Sequence, residues 1–344
     1  MNCTNINTLN ETEKKYLRYF VLLPKESYPV TSIFDFFDIE AYQEVECFDT
    51  LYDLSKKNWL IRKGNCYALN KEKQSIIVKN NTPTSDNCHD LIISFINKLY
   101  NKEINELDRL LTYLACSESI SDWFTETDEN LSILNNNIFV TYRRLDDYKK
   151  SIHYNLKNLQ YEEQTLQRND PKLADSYYDI AISYAKTGDL NKCLEYNLKA
   201  LKIREKILDS NHQDLSNSYK ITSIAYSQLK NHKKSLEYAL KSLNITESQN
   251  SRNYYDLGTS YYNVALTCFT LNYYEDAVYY IEKAVMAHGK ILPREHPDMQ
   301  EIMSTQRDFM FFYRLSKILP KVIKWLIRLV LVGLVALIIY LIIY

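Results

Sequence analysis

The side chains that most often carry chemistry in this sequence are seven cysteines and six histidines, and neither set is spaced for it. No cysteines form a CxxC pair, and the histidines show neither HxxH nor HExxH spacing, the patterns expected of metal ligands. Scattered cysteines in odd number are typical of reduced thiols rather than of a disulfide framework. No nucleophile, base or carboxylate pair can be placed by spacing. We therefore predict no catalytic residue, no metal site and no cofactor, and expect the protein not to be an enzyme.

The composition indicates a mostly helical chain with almost no net charge. Lysine and arginine total 42 against 43 aspartates and glutamates, so no overall field attracts the chain to nucleic acid. Only five glycines and seven prolines interrupt 344 residues, which favours helices. The length is enough for two or three modest domains. The amino-terminal stretch has no basic segment followed by an apolar core, so we expect no signal peptide.

The middle of the chain is an internal repeat with a period of 42 residues. Gapless copies begin at Leu134, Ser176, Ser218 and Ser260, and each copy has two amphipathic helical faces separated by a break. The recurring columns are Tyr142, Tyr184, Tyr226 and Cys268; Tyr154, Tyr196, Tyr238 and Tyr280; Lys157, Lys199, Lys241 and Lys283; and Leu159, Leu201, Leu243 and Val285. One helix pair cannot bury its apolar face alone, so we predict a stacked α-solenoid.

Small residues recur in two further columns of the repeat. These columns are Ala181, Ser223 and Ala265 in the first helix, and Cys193, Ser235 and Ala277 in the second. Small side chains let two helices approach closely, so we expect the paired helices to touch at these positions. The tyrosine columns are expected to pack between helices rather than to bind a ligand.

The repeat resembles the tetratricopeptide repeat, in the long form found in kinesin light chains. The resemblance rests on the aromatic and small columns and on the mark His296-Pro297-Asp298, which is reduced to Asp170-Pro171 and His212-Gln213 in earlier copies. It covers about Glu129 to Leu315. It implies a right-handed solenoid of about four helix pairs, closed by a capping helix that begins near Asp298.

The resemblance also implies a binding groove for a protein or peptide, because the first helix of each pair lines the concave face in that family. The positions that match are Asn136, Asn137, Val140, Arg143, Tyr178, Ile182, Lys220, Ile224, Tyr262, Asn263 and Leu266. A carboxylate clamp of Lys and Asn is not expected, because Ile224 follows Lys220 by one helical turn. Asn137 and Asn263 match asparagines that bond a peptide backbone in the family, although Asp179 and Ile221 interrupt that ladder.

The amino-terminal region has a different pattern, with three amphipathic stretches and then "WLIRKGNCYAL", which alternates around Lys63-Gly64-Asn65 and predicts a β-hairpin. Three helices and a hairpin make a winged helix. The region resembles the winged-helix domain of signalling ATPases of the NB-ARC or STAND type. The matching residues are Leu51, Leu54, Asn58-Trp59-Leu60 and Tyr67-Ala68-Leu69-Asn70. Asn70 stands where that family has a nucleotide-sensing histidine, and no glycine precedes Lys-Ser or Lys-Thr, so no ATPase P-loop is expected.

The winged helix is expected to pack against protein rather than bind DNA. Its second long helix carries acidic residues, namely Glu44, Glu46, Asp49 and Asp53, ahead of Lys56 and Lys57. An acidic helix repels phosphate, and phosphate contacts dominate DNA affinity. DNA binding is kept as an alternative.

The carboxyl-terminal stretch from Trp325 to Tyr344 is apolar apart from Arg328, and its twenty residues would form a helix of roughly 30 Å, enough to cross a bilayer core. A basic stripe leads into it: Arg314, Lys317, Lys321, Lys324 and Arg328. We assign membrane contacts to Lys321, Lys324, Trp325, Arg328, Tyr340 and Tyr344. The charge bias predicts a single-pass tail anchor with the amino-terminal bulk in the cytoplasm. A buried core helix and an interfacial helix are the alternatives.

The predicted fold class is mainly α, in the order winged helix with a small hairpin, right-handed α-solenoid and transmembrane helix. The predicted domains are a winged helix at 1–80, a helical connector at 81–128, the solenoid at 129–316, and a basic segment with the tail anchor at 317–344. Three functions follow: a membrane-tethered scaffold or sensor that binds a protein or peptide, a membrane-anchored DNA-binding regulator, or the detached sensor half of a STAND-type switch. A partner ATPase and a homo-oligomer are the remaining partner hypotheses.

Overall fold

The structure, a computed structural model, describes residues 5–100, 107–249 and 253–343. The chain is mainly helical and divides into two compact units, Met1–Arg168 and Asn169–Tyr344. We call them the amino-terminal unit and the repeat unit. The domain boundaries within each unit remain predictions.

The amino-terminal unit begins with helices and a small antiparallel sheet. Its elements are α1 (Glu11–Leu22), β1 (Tyr28–Pro29), α2 (Val30–Phe36), α3 (Glu44–Lys56), β2 (Leu60–Lys63), β3 (Cys66–Leu69), α4 (Gln74–Asn80), α5 (His89–Tyr100), α6 (Leu107–Trp123), α7 (Glu129–Arg144) and α8 (Tyr148–Thr165). A capping box starts α1, because the Asn10 side chain accepts from the Glu13 amide and the Glu13 carboxylate accepts from the Asn10 amide. The helices and hairpin follow the order that the winged-helix prediction requires.

The predicted hairpin is confirmed, and the sheet has one strand more than expected. Strands β2 and β3 pair antiparallel with Arg62 opposite Tyr67, and Gly64 turns the chain with φ 61°, a left-handed conformation that glycine adopts without strain. The unexpected strand β1 pairs with β3 and places Tyr28 opposite Tyr67, which gives the strand order β1-β3-β2. Trp59, directly before β2, and Tyr67, within β3, are buried in the core that joins the sheet to the helices.

One apolar core runs through the whole amino-terminal unit. It joins Phe36 of α2 and Phe95 of α5, whose ring centroids lie 5.6 Å apart, and it includes Leu134, Ile138 and Phe139 of α7. The pair α7–α8, which has the 42-residue repeat pattern, therefore shares its core with the winged-helix region.

The repeat unit is a succession of helix pairs. Its helices are α9 (Pro171–Thr187), α10 (Leu190–Ile207), α11 (Gln213–Gln228), α12 (His232–Ser248), α13 (Tyr254–Thr270), α14 (Tyr274–His288) and α15 (Pro297–Ile343). Each second helix packs on the first helix of the following pair, and α11 also contacts both α9 and α13. The described helix pairs confirm the predicted stacking.

The membrane anchor predicted at Trp325–Tyr344 is wrong: within the described ranges, no helix combines the length and the apolarity that crossing a membrane requires. The helix α15 is long, but Arg328 places an exposed charge inside the predicted span, and the exposed Lys321 and Lys324 directly precede it. The Tyr340 side chain and Tyr344, assigned to the far membrane interface, lie outside the described residues. The single-pass localisation and the bilayer partner are therefore not supported.

Candidate binding surface of the repeat unit

The turn between the two helices of each pair repeats the same backbone conformation. Gly188, Lys230 and Asn272 occupy one column of the repeat and have φ of 86°, 63° and 62°. The next residue caps the second helix in two of these turns: Asp189 accepts from the Lys192 amide at 3.1 Å, and Asn231 accepts from the Lys234 amide at 3.3 Å. The common turn fixes how each first helix is presented.

The loop mark between pairs is a helix cap. The Nδ1 atom of His296 accepts from the Asp298 amide at 3.3 Å. In the same way, the Nδ1 atom of His212 accepts from the Asp214 amide at 3.2 Å and caps α11. In the earlier copy Asp170 caps α9 and Pro171 occupies its first turn. The mark therefore starts the first helix of the following pair.

The small columns lie where the two helices of each pair touch. Ala181, Cys193, Ala265 and Ala277 have no exposed surface. In the α11–α12 pair, the Ser223 hydroxyl donates to the Ser235 carbonyl at 2.8 Å. The close helix approach that these columns predict is confirmed.

The tyrosine and lysine columns form stacks between paired helices, which confirms the packing role predicted for the tyrosines. Tyr184 stacks on Tyr196 with centroids 5.6 Å apart, and Tyr226 on Tyr238 at 5.8 Å. The Lys199 ammonium lies 4.8 Å from the Tyr196 centroid, at cation–π distance. Where Cys268 replaces the first tyrosine, Tyr261 stacks on Tyr280 instead, at 6.4 Å.

The predicted groove residues of the repeat unit share one side of the first helices, which we call the first-helix face. It comprises Tyr178, Ile182, Lys220, Ile224, Tyr262, Asn263 and Leu266, all half-buried or exposed. Ile182, Ile224 and Leu266 hold the same position in α9, α11 and α13, and we call these three the apolar row. Ile224 is 43% exposed and Leu266 37% exposed, which is high for aliphatic side chains.

At one end of this face, Tyr178 covers a buried arginine. The Arg204 guanidinium lies 4.4 Å from the Tyr178 centroid and donates to the Asp175 carboxylate at 2.7 Å and to the Ser218 hydroxyl at 2.9 Å. Burial raises the pKa of Tyr178, while the Arg204 charge acts in the opposite direction. Arg204 thus ties α10 to both neighbouring first helices and fixes the tyrosine ring.

At the other end, Tyr262 is tied to α15. Its hydroxyl lies 3.1 Å from the Glu301 carboxylate and 3.3 Å from the Thr305 hydroxyl. Burial is the main cause that raises the pKa of Tyr262, so its hydroxyl stays protonated and able to donate. Both tyrosines are held by the fold, whereas Ile224 and Leu266 of the apolar row are exposed and Lys220 adds a positive charge beside them.

The other predicted groove residues lie on α7, in the amino-terminal unit. Asn136 is exposed, but Asn137 is buried and its amide donates to the Ile96 carbonyl at 3.0 Å. The Arg143 guanidinium lies 4.9 Å from the Phe139 centroid. Asn137 therefore serves packing within its own unit.

Asn70, the match to a nucleotide-sensing histidine, has a structural role. It is buried, its amide donates to the Asn58 carbonyl at 3.0 Å, and its side-chain oxygen accepts from the Glu72 amide at 3.2 Å. These bonds link the residue after β3 to the turn before β2.

The buried thiols of the repeat unit are poor nucleophiles. Burial raises the pKa of Cys193 to about 11, and it raises the pKa of Cys268 to about 11 as well. A thiol with such a pKa is almost fully protonated at neutral pH, and only the thiolate attacks. Both cysteines belong to the helix contacts described above.

The sequence analysis missed Arg204, although its column carries a signal. The residues at this position of the second helices are Glu162, Arg204, Thr246 and His288, and all four are buried. A buried column whose polar residue changes from pair to pair indicates that each residue has its own hydrogen-bond partners, rather than one apolar contact repeated in every pair.

Comparison with known proteins identifies the repeats. Models of the tetratricopeptide repeat match residues 173–248 and 258–287. No curated protein matches the chain. The chain therefore contains tetratricopeptide repeats, as its sequence predicts, and the matched residues lie in the repeat unit.

Several solved structures are similar in fold, all at low identity. A kinesin light chain of Podosopora anserina with nearly identical TPR-like repeats is 16% identical, with a TM-score of 0.47 over 55% of this chain and 90% of that one. BtubC from P. vanneervenii is 14% identical, with a TM-score of 0.46 over 64% and 82%. A STAND protein with a tetratricopeptide repeat sensor from Pyrococcus horikoshii is 17% identical, with a TM-score of 0.45 over 87% and 54%. The repeat assignment itself rests on the family models.

Proposed function

We propose that the first-helix face of the repeat unit binds an extended segment of a partner protein, and that the chain acts as a non-enzymatic interaction scaffold. The observation that carries this proposal is the apolar row. Ile182, Ile224 and Leu266 recur at one position of three successive first helices; Ile224 and Leu266 are exposed, and Ile182 is half-buried. Aliphatic side chains aligned in this way gain free energy when a partner removes them from water.

The geometry of the row favours an extended ligand. Helices in contact have axes about 8–10 Å apart, and an extended chain advances about 3.3 Å per residue. Neighbouring members of the row are therefore separated by the length of roughly three residues of an extended ligand. Lys220, one helical turn from Ile224, favours an acidic group on the ligand.

The acidic surface of α3 supports a protein-packing role for the winged-helix region. Glu44, Glu46, Asp49 and Asp53 are all exposed. The Arg62 guanidinium lies 5.1 Å from the Tyr52 centroid, so this cation already packs on the helix. A helix that presents carboxylates is poorly suited to a phosphate backbone.

The proposal can be tested with a peptide selected from a random library on the full chain. A photo-crosslinking residue is placed at Ile224 and, as the matched control, at Leu240, which is 40% exposed but lies on the second helix of the same pair. We expect the selected peptide to crosslink from position 224 and not from position 240. Crosslinking from position 240 alone, or equally from both, would contradict the proposal.

A further inference from the structure

A cavity of about 520 Å³ lies within the amino-terminal unit, between α1, α3, α5 and the connection from α2 to α3. Sites that enclose a small molecule commonly have volumes in this range. Residues of a single unit form the cavity, so it is separate from the first-helix face of the repeat unit. Its own side chains therefore decide what it can bind.

Three aromatic rings line the cavity. They belong to Tyr16 and Tyr19 of α1 and to Phe37, the residue after α2. The Phe37 centroid lies 5.2 Å from the Tyr16 centroid and 4.9 Å from the Tyr19 centroid. One cation already lies beside this cluster, because the Lys15 ammonium is 5.6 Å from the Tyr19 centroid. The electron-rich faces of such rings attract positive charge, so the cluster favours a cationic ligand over an anionic one.

Two carboxylates at the cavity are already paired with lysines. The Asp90 carboxylate accepts from the Lys15 ammonium at 2.6 Å, and this bond is the main cause that lowers the pKa of Asp90. The Asp38 carboxylate is paired with Lys98 of α5. Each lysine is therefore neutralised by its own carboxylate, and neither offers an anionic ligand a free positive charge.

The carboxylate of Glu46 on α3, which also lines the cavity, is left over. Glu46 is exposed, and within the described part of the chain its carboxylate has no ion-pair partner. Burial is the main cause that raises the pKa of Tyr16, and the Glu46 charge adds to this rise, so the carboxylate lies near the Tyr16 hydroxyl. The His89 ring accepts from the Asn130 amide through Nδ1 at 3.1 Å and is uncharged in this arrangement. The cavity thus combines a negative charge with aromatic rings.

We propose that this cavity binds a small organic cation, namely an ammonium or guanidinium group joined to an apolar or aromatic body. The cation pairs with the Glu46 carboxylate and lies against the rings of Tyr16 and Phe37. The apolar body displaces water from the rest of the cavity. An anion of the same size is excluded, because it meets the Glu46 charge and no free lysine. The site is independent of the peptide surface proposed above.

Isothermal titration calorimetry of the full chain with 2-phenylethylamine, which is protonated at neutral pH, tests this proposal. The matched probe is 2-phenylethanol, which has the same size and no charge. With each probe added to about 10 mM, we expect the amine to saturate one site and the alcohol to bind at least tenfold more weakly. Equal affinities for the two probes, or no saturable binding of the amine, would overturn the proposal.

Two variants of α3 show whether the amine binds in the cavity. Glu46→Gln removes the charge but keeps the size of the side chain, so we expect it to weaken amine binding at least tenfold and to leave alcohol binding unchanged. Asp49→Asn is the matched control, because Asp49 is exposed on the same helix but does not line the cavity. We expect this control to bind the amine like the wild type. An equal loss in both variants would contradict the site, since it would indicate general attraction to an acidic helix.

Discussion

Two neighbouring helix pairs of the repeat unit, α11–α12 and α13–α14, build the same geometry from different interiors. The first pair buries mainly hydroxyl residues: Ser216, Ser218, Thr222, Ser223, Ser235, Ser242 and Thr246. The second pair has an apolar core with Val264, Ala265, Ala277, Ile281 and Ala284. Several matching columns therefore hold side chains of similar size and different polarity, such as Thr222 and Val264, or Ser223 and Ala265.

Hydroxyl groups can replace apolar groups here because each finds a partner. The Ser216 hydroxyl lies 2.9 Å from the Ser242 hydroxyl and 3.1 Å from the Thr246 hydroxyl. The Thr222 hydroxyl donates to the Ser218 carbonyl at 2.9 Å and accepts from the Asn197 amide at 2.7 Å. A buried polar group costs little when it is bonded and much when it is not. The α11–α12 pair is thus stabilised by a network of hydrogen bonds, and the α13–α14 pair by apolar packing.

We expect the two pairs to differ most in the cost of an alanine substitution at the column that holds Ser216 in α11 and Gly258 in α13. A Cβ at Gly258 would overlap the buried His288 ring. We expect Gly258→Ala to lower the free energy of unfolding by about 2–3 kcal/mol, as overpacking does. Ser216→Ala is expected to cost only about 1 kcal/mol, since it removes hydrogen bonds but no atoms clash. Urea denaturation of each variant measures both values.

A second substitution shows whether the ring causes the loss at Gly258. We expect Gly258→Ala to cost less in a His288→Ala background, because the smaller side chain leaves room for the added methyl group. An unchanged cost in that background would place the cause elsewhere in the pair.

A reciprocal exchange tests whether the two interiors are interchangeable. Thr222 and Val264 share a column, so Thr222→Val removes an acceptor of the Asn197 amide and Val264→Thr adds a hydroxyl to an apolar core. We expect each to lower the free energy of unfolding by roughly 1 kcal/mol. A thermal unfolding series measures the changes. An unchanged free energy of unfolding in both variants would show that the polarity of the interiors does not matter.

The sequence predicted the repeat well because its period appears directly in the spacing of residues. The 42-residue register gives the tyrosine stacks and the small columns, and it places Ile182, Ile224 and Leu266 in one row. The Gly64 hairpin was also visible, because strand alternation and a turn glycine are local signals.

Features that depend on distant contacts were not predictable in this way. The strand β1 has two residues, one of them Pro29, so it shows no alternation. The pair α7–α8 has the repeat pattern, yet Asn137 bonds to Ile96, which no periodicity reveals. The anchor prediction interpreted Lys321, Lys324 and Arg328 as interfacial contacts of an apolar span, and the described part of α15 contains no such span.

The most direct test of the proposed peptide surface is the affinity of the library-selected peptide for a double variant of the apolar row. The row variant, Ile224→Glu with Leu266→Glu, places a charge on the first-helix face in α11 and in α13. Leu240→Glu with Met286→Glu is the control, because these residues are 40% and 70% exposed on the second helices of the same pairs. By fluorescence anisotropy we expect the row variant to weaken binding at least tenfold, about 1.4 kcal/mol, and the control variant to bind like the wild type. Wild-type affinity in the row variant, or an equal loss in the control, would contradict the account.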